Sequence, residues 1–368
     1  MKRVFSLFLM IIGVTNISFA QELKWHDPQK SSINPIEGQA WHGEARSNFY
    51  NRMPNRFEEQ VRKPLWDLST NCAGESILFR TNSDKVTVKY TTTNSQHSMP
   101  HMPSTGMSGV DLYRLDPHGQ WQRVVGRYNF GEQVTYNYTT LNDQLEPNNN
   151  GAVYRLYLPL YNGVERLEIG AEEGSAFEFM SPSTSQPIVV YGTSIAQGAC
   201  ASRPAMAWSS ILARQLNTPL LNYGFSGNGK LEESLIDMIC EIDAKIYILD
   251  CMPNLQHTDH QQLIELIYNA VKKIRHQRPS TPIILTDHLG YSNSEVKNSQ
   301  RALVENCLTA QKEAYERLLR ENVEGLHYLD FEQLAMPTSA IVDYVHPSDY
   351  GMVIYAEAYN KIIVSILE

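Results

Sequence analysis

The chain has 368 residues, of which 42% are hydrophobic and 19% are charged, and its formal net charge is −9 at pH 7. This length is more than one hydrophobic core usually serves, so we expect two domains. An acidic chain without a cluster of Lys and Arg argues against nucleic acid and against anionic membrane surfaces as partners.

Residues 1–20 have the pattern of a cleaved secretory signal peptide. Lys2 and Arg3 form a positive start, residues 5–14 are apolar, and Ser18-Phe19-Ala20 ends the segment with small residues at the positions that a signal peptidase reads. An apolar run of about ten residues is too short for a bilayer span, which needs roughly 20. We expect an exported protein, periplasmic or extracellular, without a membrane anchor; the alternative is a buried N-terminal helix.

Residues 21–180 are predicted to form an all-β, jelly-roll-like sandwich. Short runs of alternating apolar and polar residues are separated by turn formers, and no helical period interrupts them. Such a series is typical of a sandwich. Strands are predicted at 76–80, 85–90, 110–115, 121–125, 153–160 and 164–169. Residues 172–186, rich in Glu, Gly, Ser, Thr and Pro, are interpreted as a linker.

Residues 187–368 are predicted to form a second domain with an α/β fold. The run 187–191 is continuously apolar, as in a strand buried on both faces. Strands that alternate with longer helices indicate a doubly wound, mostly parallel sheet. Strands are predicted at 187–191, 220–223, 246–250, 282–286 and 326–329, and helices at 205–216, 231–241, 259–275, 299–320 and 348–367.

The cysteines and the paired histidines give weak signals. Five cysteines, an odd number without Cys-x-x-Cys spacing, argue against a disulfide framework and against a zinc site, while a single bridge stays open. Cys240 and Cys251 lie in apolar surroundings and are interpreted as core residues. Two histidine pairs have metal-compatible spacing but no third ligand in pattern, so we interpret them as solvated or hydrogen-bonded: His97 with His101, and His257 with His260.

Reactive side chains follow the predicted strands of the second domain. In open α/β sheets, ligands bind beyond the carboxyl ends of the strands. The first strand is followed by Gly192-Thr193-Ser194, the second by the Gly-rich segment 224–229, and the third by Met252-Pro253-Asn254. Asp343-x-x-His346 precedes the last helix. We therefore expect these groups at one edge of the sheet.

This set of groups is suited to nucleophilic catalysis. A serine hydroxyl needs a base that is itself oriented by a third group, which assigns Ser194 as nucleophile, His346 as base and Asp343 as its orienting carboxylate. The oxyanion donors would be the backbone N–H groups of Ser194 and Gly227 and the side-chain amide of Asn254. Glycine at 227 is expected because a side chain there would obstruct the substrate. Taken singly, each group also has a purely structural explanation. Asp343-x-x-His346 could be a surface ion pair, Asn254 a helix cap, and the Gly-rich segment a turn.

Three further residues are candidates for substrate contact. Gln197 and Arg203 follow the nucleophile, and they either line the pocket or fix the loop by hydrogen bonds. His288 follows the fourth predicted strand and is expected at the same edge of the sheet.

The ordered blocks of the second domain resemble those of the SGNH (GDSL-type) hydrolase superfamily, although Gly-Thr-Ser replaces the common Gly-Asp-Ser. They are Gly192-Thr193-Ser194-Ile195, Gly227, Asn254 and Asp343-x-x-His346. The first domain is similar to the β-sandwich that precedes some bacterial SGNH esterases and has a Gly-x-Asp-Leu-Tyr motif, here Gly109-Val110-Asp111-Leu112-Tyr113. The resemblance implies a three-layer, flavodoxin-like α/β/α domain with a five-stranded parallel sheet, no metal, no cofactor and deacylation of small esters, often acetylated carbohydrate.

The expected function is therefore that of a carbohydrate esterase that removes acetyl groups. Two alternatives stay open: an esterase or thioesterase on non-sugar acyl substrates, and a glycan-binding protein without activity. The segment Met99–Met107, rich in Met, Pro, His and Gly, is interpreted as an ordered loop, and we hypothesise that it reaches over Ser194 and shapes the pocket. The sugar, the acylated position and the oligomeric state stay open.

Overall fold

The computed structural model describes residues 22–141 and 151–368. The predicted signal peptide lies outside these residues. No helix within the described ranges combines the length and the apolarity that a bilayer crossing requires.

The N-terminal half is an antiparallel β-sandwich, as predicted. Its strands are β1 (Leu23–His26), β2 (Ile36–Glu37), β3 (Ser76–Thr81), β4 (Val86–Thr92), β5 (Asp111–Leu115), β6 (Trp121–Val124), β7 (Arg127–Asn129), β8 (Val134–Tyr138), β9 (Ala152–Tyr157), β10 (Val164–Glu172) and β11 (Phe177–Phe179). One sheet has the order β1-β10-β4-β8-β7, and the other has the order β11-β3-β9-β5-β6 with β2 beside β3. Alternate residues of β4, namely Val86, Val88 and Tyr90, are buried in the core between the sheets, because successive side chains of a strand point to opposite faces.

The predicted linker is too long. β11 lies inside the range 172–186 and pairs with β3, and Phe177 stacks on Phe79 with ring centroids 5.3 Å apart. Three residues are too few to stand out as an alternating run among turn-forming neighbours. Two short helices that the sequence did not indicate also occur here, α1 (Lys63–Ser69) and α2 (Ser104–Met107). Both are too short to show a helical period.

The C-terminal half is a three-layer α/β/α unit. Its strands are β12 (Ile188–Gly192), β13 (Leu220–Gly224), β14 (Ile246–Asp250), β15 (Ile283–Thr286) and β16 (Leu326–Leu329), all parallel in the order β13-β12-β14-β15-β16. The helices are α3 (Ser194–Gln197), α4 (Trp208–Leu216), α5 (Glu233–Cys240), α6 (His260–Gln277), α7 (Asn298–Arg320), α8 (Phe331–Leu334) and α9 (Asp349–Leu367). Val189 and Tyr191 face the core under α5, α6 and α7, whereas Ile188 and Val190 face the core under α4 and α9.

Strand register brings three loops to one edge of this sheet. Gly192 at the end of β12 lies beside Gly224 of β13 and beside Asp250 of β14. The segments that follow these three strands therefore leave the sheet together. This is the position expected for a ligand site in an open α/β sheet.

The sandwich and the α/β unit share a buried boundary. Arg52 is almost fully buried, and its guanidinium donates to the carbonyls of Asn222 at 2.8 Å and Gly224 at 3.0 Å. Apolar side chains from the predicted sandwich range also pack into the core beneath α5 to α7: Ala40, Met53, Phe57, Val61, Leu65 and Trp66. The range 21–180 thus includes a segment that the α/β core needs.

The five cysteines are all buried and free, so the one bridge left open by the sequence is not formed. Cys240 and Cys251 lie in the α/β core, as predicted. Cys200 instead lies in the loop after α3, near the edge of the sheet to which the reactive segments lead.

Candidate active site

Ser194, His346 and Asp343 form a continuous hydrogen-bonded series. Ser194 Oγ lies 2.8 Å from His346 Nε2, and His346 Nδ1 lies 2.7 Å from Asp343 Oδ2. With the carboxylate on Nδ1, that nitrogen holds the ring proton and Nε2 is free to accept the serine proton. The three groups are thus arranged as a nucleophile, a base and an orienting carboxylate.

A short loop presents both Asp343 and His346. Asp343 Oδ1 accepts the backbone N–H groups of Val345 at 2.8 Å and of His346 at 2.9 Å, while Oδ2 faces the imidazole. Burial works against the charged carboxylate, but these hydrogen bonds outweigh it and lower the pKa of Asp343 to about 2. The backbone between Ile341 and Pro347 is closed by a β-bridge, which fixes the loop. Asp343 therefore stays ionised next to the base.

Ser194 is the first residue of α3 and is only 8% exposed. Thr193 caps this short helix, since its hydroxyl accepts the N–H of Ile195 at 3.3 Å. The first N–H groups of a helix have no acceptor inside the helix, so the backbone N–H of Ser194 is oriented for an external acceptor. The same turn thus offers a hydroxyl and an oxyanion donor.

The other two predicted oxyanion donors come from neighbouring loops. Asn254 Oδ1 accepts the N–H of Gly229 at 3.1 Å, which orients the side chain and leaves its amide hydrogens available as donors. A side chain at Gly229 would lie 2.2 Å from the carbonyl of Gly192, so glycine there lets this loop approach the segment that leads to Ser194.

The backbone conformation gives a second reason for glycine at position 227, while the expected crowding by substrate stays a prediction. A Cβ atom at Gly227 would meet no atom within 4 Å, but the residue has φ +68°, a conformation that disfavours side chains. Glycine is favoured there by its backbone conformation, and steric crowding within the protein plays no part.

Gln197 fixes the loop and does not line an open pocket. Its side chain is fully buried. Its amide donates to the carbonyl of Leu160 at 3.1 Å, and its oxygen accepts the N–H of Ser226 at 3.0 Å. Because Leu160 belongs to the N-terminal half, Gln197 connects that half to the loop that contains Gly227.

Arg203 binds the Gly-x-Asp-Leu-Tyr motif. Its guanidinium forms an ion pair with Asp111 and donates to the hydroxyl of Tyr113 at 2.9 Å. The aspartate and the tyrosine of the motif therefore act at the boundary between the two halves, where they hold the loop after α3. This contact favours the structural alternative for Arg203.

His288 follows β15 at the carboxyl edge of the sheet, but its side chain is fully buried. Its Nδ1 accepts the N–H of Gly290 at 2.9 Å, and its ring packs edge-on against Tyr291. Burial lowers the pKa of His288 to about 3, so the imidazole is neutral. The complete burial of the side chain argues against direct contact with substrate.

The segment Met99–Met107 reaches the base His346, and its hypothesised role in shaping the pocket over Ser194 stays a prediction. The imidazole of His101 stacks on that of His346, with centroids 5.8 Å apart and planes inclined by 13°. Thr105 Oγ1 donates to the carbonyl of Ser202 at 2.7 Å, and Gly106 packs against the carbonyl of Ala201. The sequence did not identify His101 as a site residue, because its neighbours there are distant in the chain.

Comparison with known proteins assigns both halves. Residues 185–364 match the GDSL-like lipase/acylhydrolase family, and residues 23–177 match the N-terminus of SGNH-hydrolase-type esterases, the GxDLY domain. No functionally curated protein matches the chain significantly in sequence.

Solved structures share this architecture. The fold is similar to that of a protein described as a GDSL-like lipase from Bacteroides ovatus, with TM-score 0.84, 28% identity, and coverage of 94% of this chain and 98% of that one. It is also similar to the salicylyl-acyltransferase SsfX3 of a tetracycline biosynthetic pathway, with TM-score 0.73, 18% identity, and coverage of 94% and 97%. A third is an acetyl xylan esterase, Est2A, from the rumen bacterium Butyrivibrio proteoclasticus, with TM-score 0.50, 10% identity, and coverage of 94% and 99%. The chain therefore belongs to the SGNH (GDSL-type) hydrolases and has the GxDLY domain as its N-terminal half.

Proposed function

We propose that this protein is an exported serine esterase that removes small acyl groups, acetyl above all, from carbohydrate. The observation that carries the proposal is the hydrogen-bonded series from Ser194 Oγ through His346 to Asp343. Export rests on the signal-like residues 1–20, and it is tested by the N-terminus of the protein recovered outside the cytoplasm.

The proposed reaction proceeds through an acyl-enzyme. Ser194 Oγ attacks the acyl carbonyl carbon, and His346 Nε2 takes the hydroxyl proton. The carbonyl oxygen becomes an oxyanion, which the N–H groups of Ser194 and Gly227 and the amide of Asn254 stabilise. His346 then donates its proton to the departing sugar oxygen, and the ester bond to the sugar breaks. Water attacks the acyl-enzyme with the same base and releases the acid and the free serine.

Exposed aromatic side chains that are close to the base in the chain favour carbohydrate over lipid. Tyr344, between Asp343 and His346 in the chain, is 49% exposed, and Tyr350 is also largely exposed. The flat C–H face of a sugar ring packs well on such rings, whereas their hydroxyls stay in water. The acetyl xylan esterase of similar fold is in line with this class of substrate.

The first test is hydrolysis of 4-nitrophenyl acetate and butyrate by the mature protein. We expect turnover of acetate to exceed that of butyrate, and Ser194→Ala and His346→Ala to lose at least about 10³-fold in kcat while their circular dichroism stays unchanged. Acetate release from acetylated polysaccharides then tests the substrate class. Equal inertness of wild type and variants on both substrate types would overturn the proposal and favour a glycan-binding protein.

A further inference from the structure

Three potential metal ligands meet beside the nucleophile. The donor atoms of His101, Cys200 and His346 all lie within 4.8 Å of one another. His101 comes from the loop of the sandwich domain, Cys200 from the segment after α3, and His346 from the loop before α9. We refer to these three residues as the His-Cys-His cluster. Two imidazoles and a thiol are the ligand types that borderline-soft cations such as Zn²⁺ prefer.

The backbone around Cys200 holds its thiol in the cluster. Cys200 has φ +67°, a left-handed conformation that non-glycine residues seldom adopt. Backbone hydrogen bonds fix this turn: the N–H of Ala199 donates to the carbonyl of Ser194 at 2.9 Å, and the N–H of Ala201 donates to that of Gly198 at 3.2 Å. The other four cysteines are also buried, but none belongs to such a group of ligands within the described residues.

His346 is prepared for a metal by the same contact that prepares it for catalysis. Its Nδ1 hydrogen bonds Asp343 at 2.7 Å, which leaves Nε2 as the available ligand atom. A carboxylate behind a histidine is the usual outer partner of zinc-bound imidazoles, because it fixes the tautomer and raises the basicity of the ligand. The centroid of the His101 ring lies 5.8 Å from that of His346, so both imidazoles border the same small space.

The charges also fit a divalent cation. A thiolate at Cys200 and the carboxylate of Asp343 together supply two negative charges next to a bound Zn²⁺. Three protein ligands leave the fourth position for water, which is a common arrangement in zinc sites.

From this arrangement we propose that the His-Cys-His cluster binds Zn²⁺ reversibly and that the bound ion switches the esterase off. On binding, bonds form from the metal to His101, to the Cys200 sulfur and to His346 Nε2, and the thiol proton passes to solvent. Ser194 loses its hydrogen-bond acceptor, since Nε2 cannot hold a metal and a serine proton together. The ion is an inhibitor here and takes no part in ester hydrolysis.

Binding is tested with Co²⁺ as a spectroscopic probe, in the Ser194→Ala protein, which cannot turn over substrate. We expect one equivalent to produce near-ultraviolet thiolate-to-cobalt absorption, which Zn²⁺ then removes. Cys200→Ser keeps the size of the side chain but lacks the sulfur ligand, so this variant should lose the band. Cys200→Ala is the second variant, to be used if Cys200→Ser does not fold.

His97→Gln is the matched control, because His97 lies four residues before His101 but packs on Phe130 and contacts the Thr92 hydroxyl. It should keep the cobalt band. Absence of the band in the parent protein, or its persistence in folded Cys200 variants, overturns the proposal.

Inhibition is tested on the active protein, independently of its natural substrate. We expect Zn²⁺ to abolish hydrolysis of 4-nitrophenyl acetate and EDTA to restore it. The Zn²⁺ concentration that halves the metal-free rate of Cys200→Ser should be at least tenfold higher than the concentration that halves the metal-free rate of wild type. Inhibition that Cys200→Ser leaves unchanged would contradict the cluster as the site. If the protein has no esterase activity, only the proposed function is refuted, because the cobalt spectrum tests metal binding independently.

Discussion

At the scale of single residues, Asp343 shows how a loop of a few residues sets the chemistry of the site. Two backbone N–H groups bind one carboxylate oxygen and leave the other for the imidazole. The pKa of Asp343 in the folded protein is about 2, below its ordinary value of 3.8. The charge of Asp343 therefore stabilises the folded state at any pH above its ordinary pKa, and this contribution is lost as the pH falls through about 2. The group stays charged at any pH where an esterase of this type operates.

Replacing Asp343 with Asn should impair the base without unfolding the protein. An amide carries no negative charge and can hold the His346 ring in the wrong tautomer. We therefore expect kcat to fall by about 10²- to 10⁴-fold with little change in KM. Steady-state kinetics on 4-nitrophenyl acetate measure this, and circular dichroism checks the fold. A kcat within threefold of wild type would show that another group orients the imidazole.

The exposed ring of Tyr344 is expected to matter for sugars and not for small esters. Tyr344→Ala removes an aromatic surface next to the base, so KM for an acetylated polysaccharide should rise by about three- to tenfold, which corresponds to roughly 1 kcal/mol. Hydrolysis of 4-nitrophenyl acetate should stay near wild type. Tyr128→Ala serves as control, because Tyr128 on β7 is 55% exposed but lies in the sandwich. Equal effects on both substrates would argue against sugar stacking.

At the scale of elements, the segment Met99–Met107 depends on one close backbone approach. A Cβ atom at Gly106 would lie 2.2 Å from the carbonyl of Ala201, in the loop after α3. The hydrogen bond from Thr105 to Ser202 supports the same contact. This approach places His101 against His346, so the sandwich contributes directly to the surroundings of the base.

Gly106→Ala should therefore displace the loop and lower activity. We expect kcat/KM to fall at least tenfold, because small displacements near reacting groups are costly, and deletion of residues 97–107 should have a larger effect. Gly131→Ala is the control, since a Cβ atom there has no neighbour closer than 3.8 Å. If the deletion variant kept full activity and stability, the loop would have no role in the pocket.

At the scale of the whole molecule, the two halves are joined by buried polar groups as well as by apolar packing. Arg52 binds carbonyls at the end of β13, Gln197 binds Leu160, and Arg203 binds the GxDLY aspartate. Breaking a buried pair by removal of one partner is costly, because the other is left without a partner. The active-site loops are thus held by the sandwich, and the halves are expected to unfold together.

Glu75 gives this boundary a predictable pH dependence. Burial raises its pKa to about 8, although Gln39 and the charges of Arg52 and Arg46 oppose the shift. Because the carboxyl pKa is raised in the folded protein, the contribution of Glu75 to the free energy of unfolding is fully present below pH 4.5, its ordinary pKa. This contribution is lost as the pH rises toward 8. Glu75→Gln removes this titration. The stability of the variant relative to wild type should increase by about 4 kcal/mol between pH 5 and pH 9, as measured by urea unfolding. A pH-independent difference would contradict a buried, protonated Glu75.

The sequence by itself determined the fold class of each half and the three groups of the nucleophilic series. Alternation in β4, the continuous apolar run in β12 and the helix-length segments between parallel strands are local patterns, and they follow directly from burial on one face or on two. Asp343 and His346 are three residues apart, so their contact is local too. Short elements such as β11 and α1 were missed because a few residues cannot establish a period.

Tertiary structure alone decided which polar residues face substrate and which bind the two halves together. Gln197, Arg203 and His288 look equivalent in the sequence, yet the first two are used at the domain boundary and the third is buried beneath the edge of the sheet. The meeting of His101, Cys200 and His346 joins segments about a hundred residues apart or more. No periodicity or spacing encodes such contacts, because they arise only when segments that are distant in the chain pack against each other.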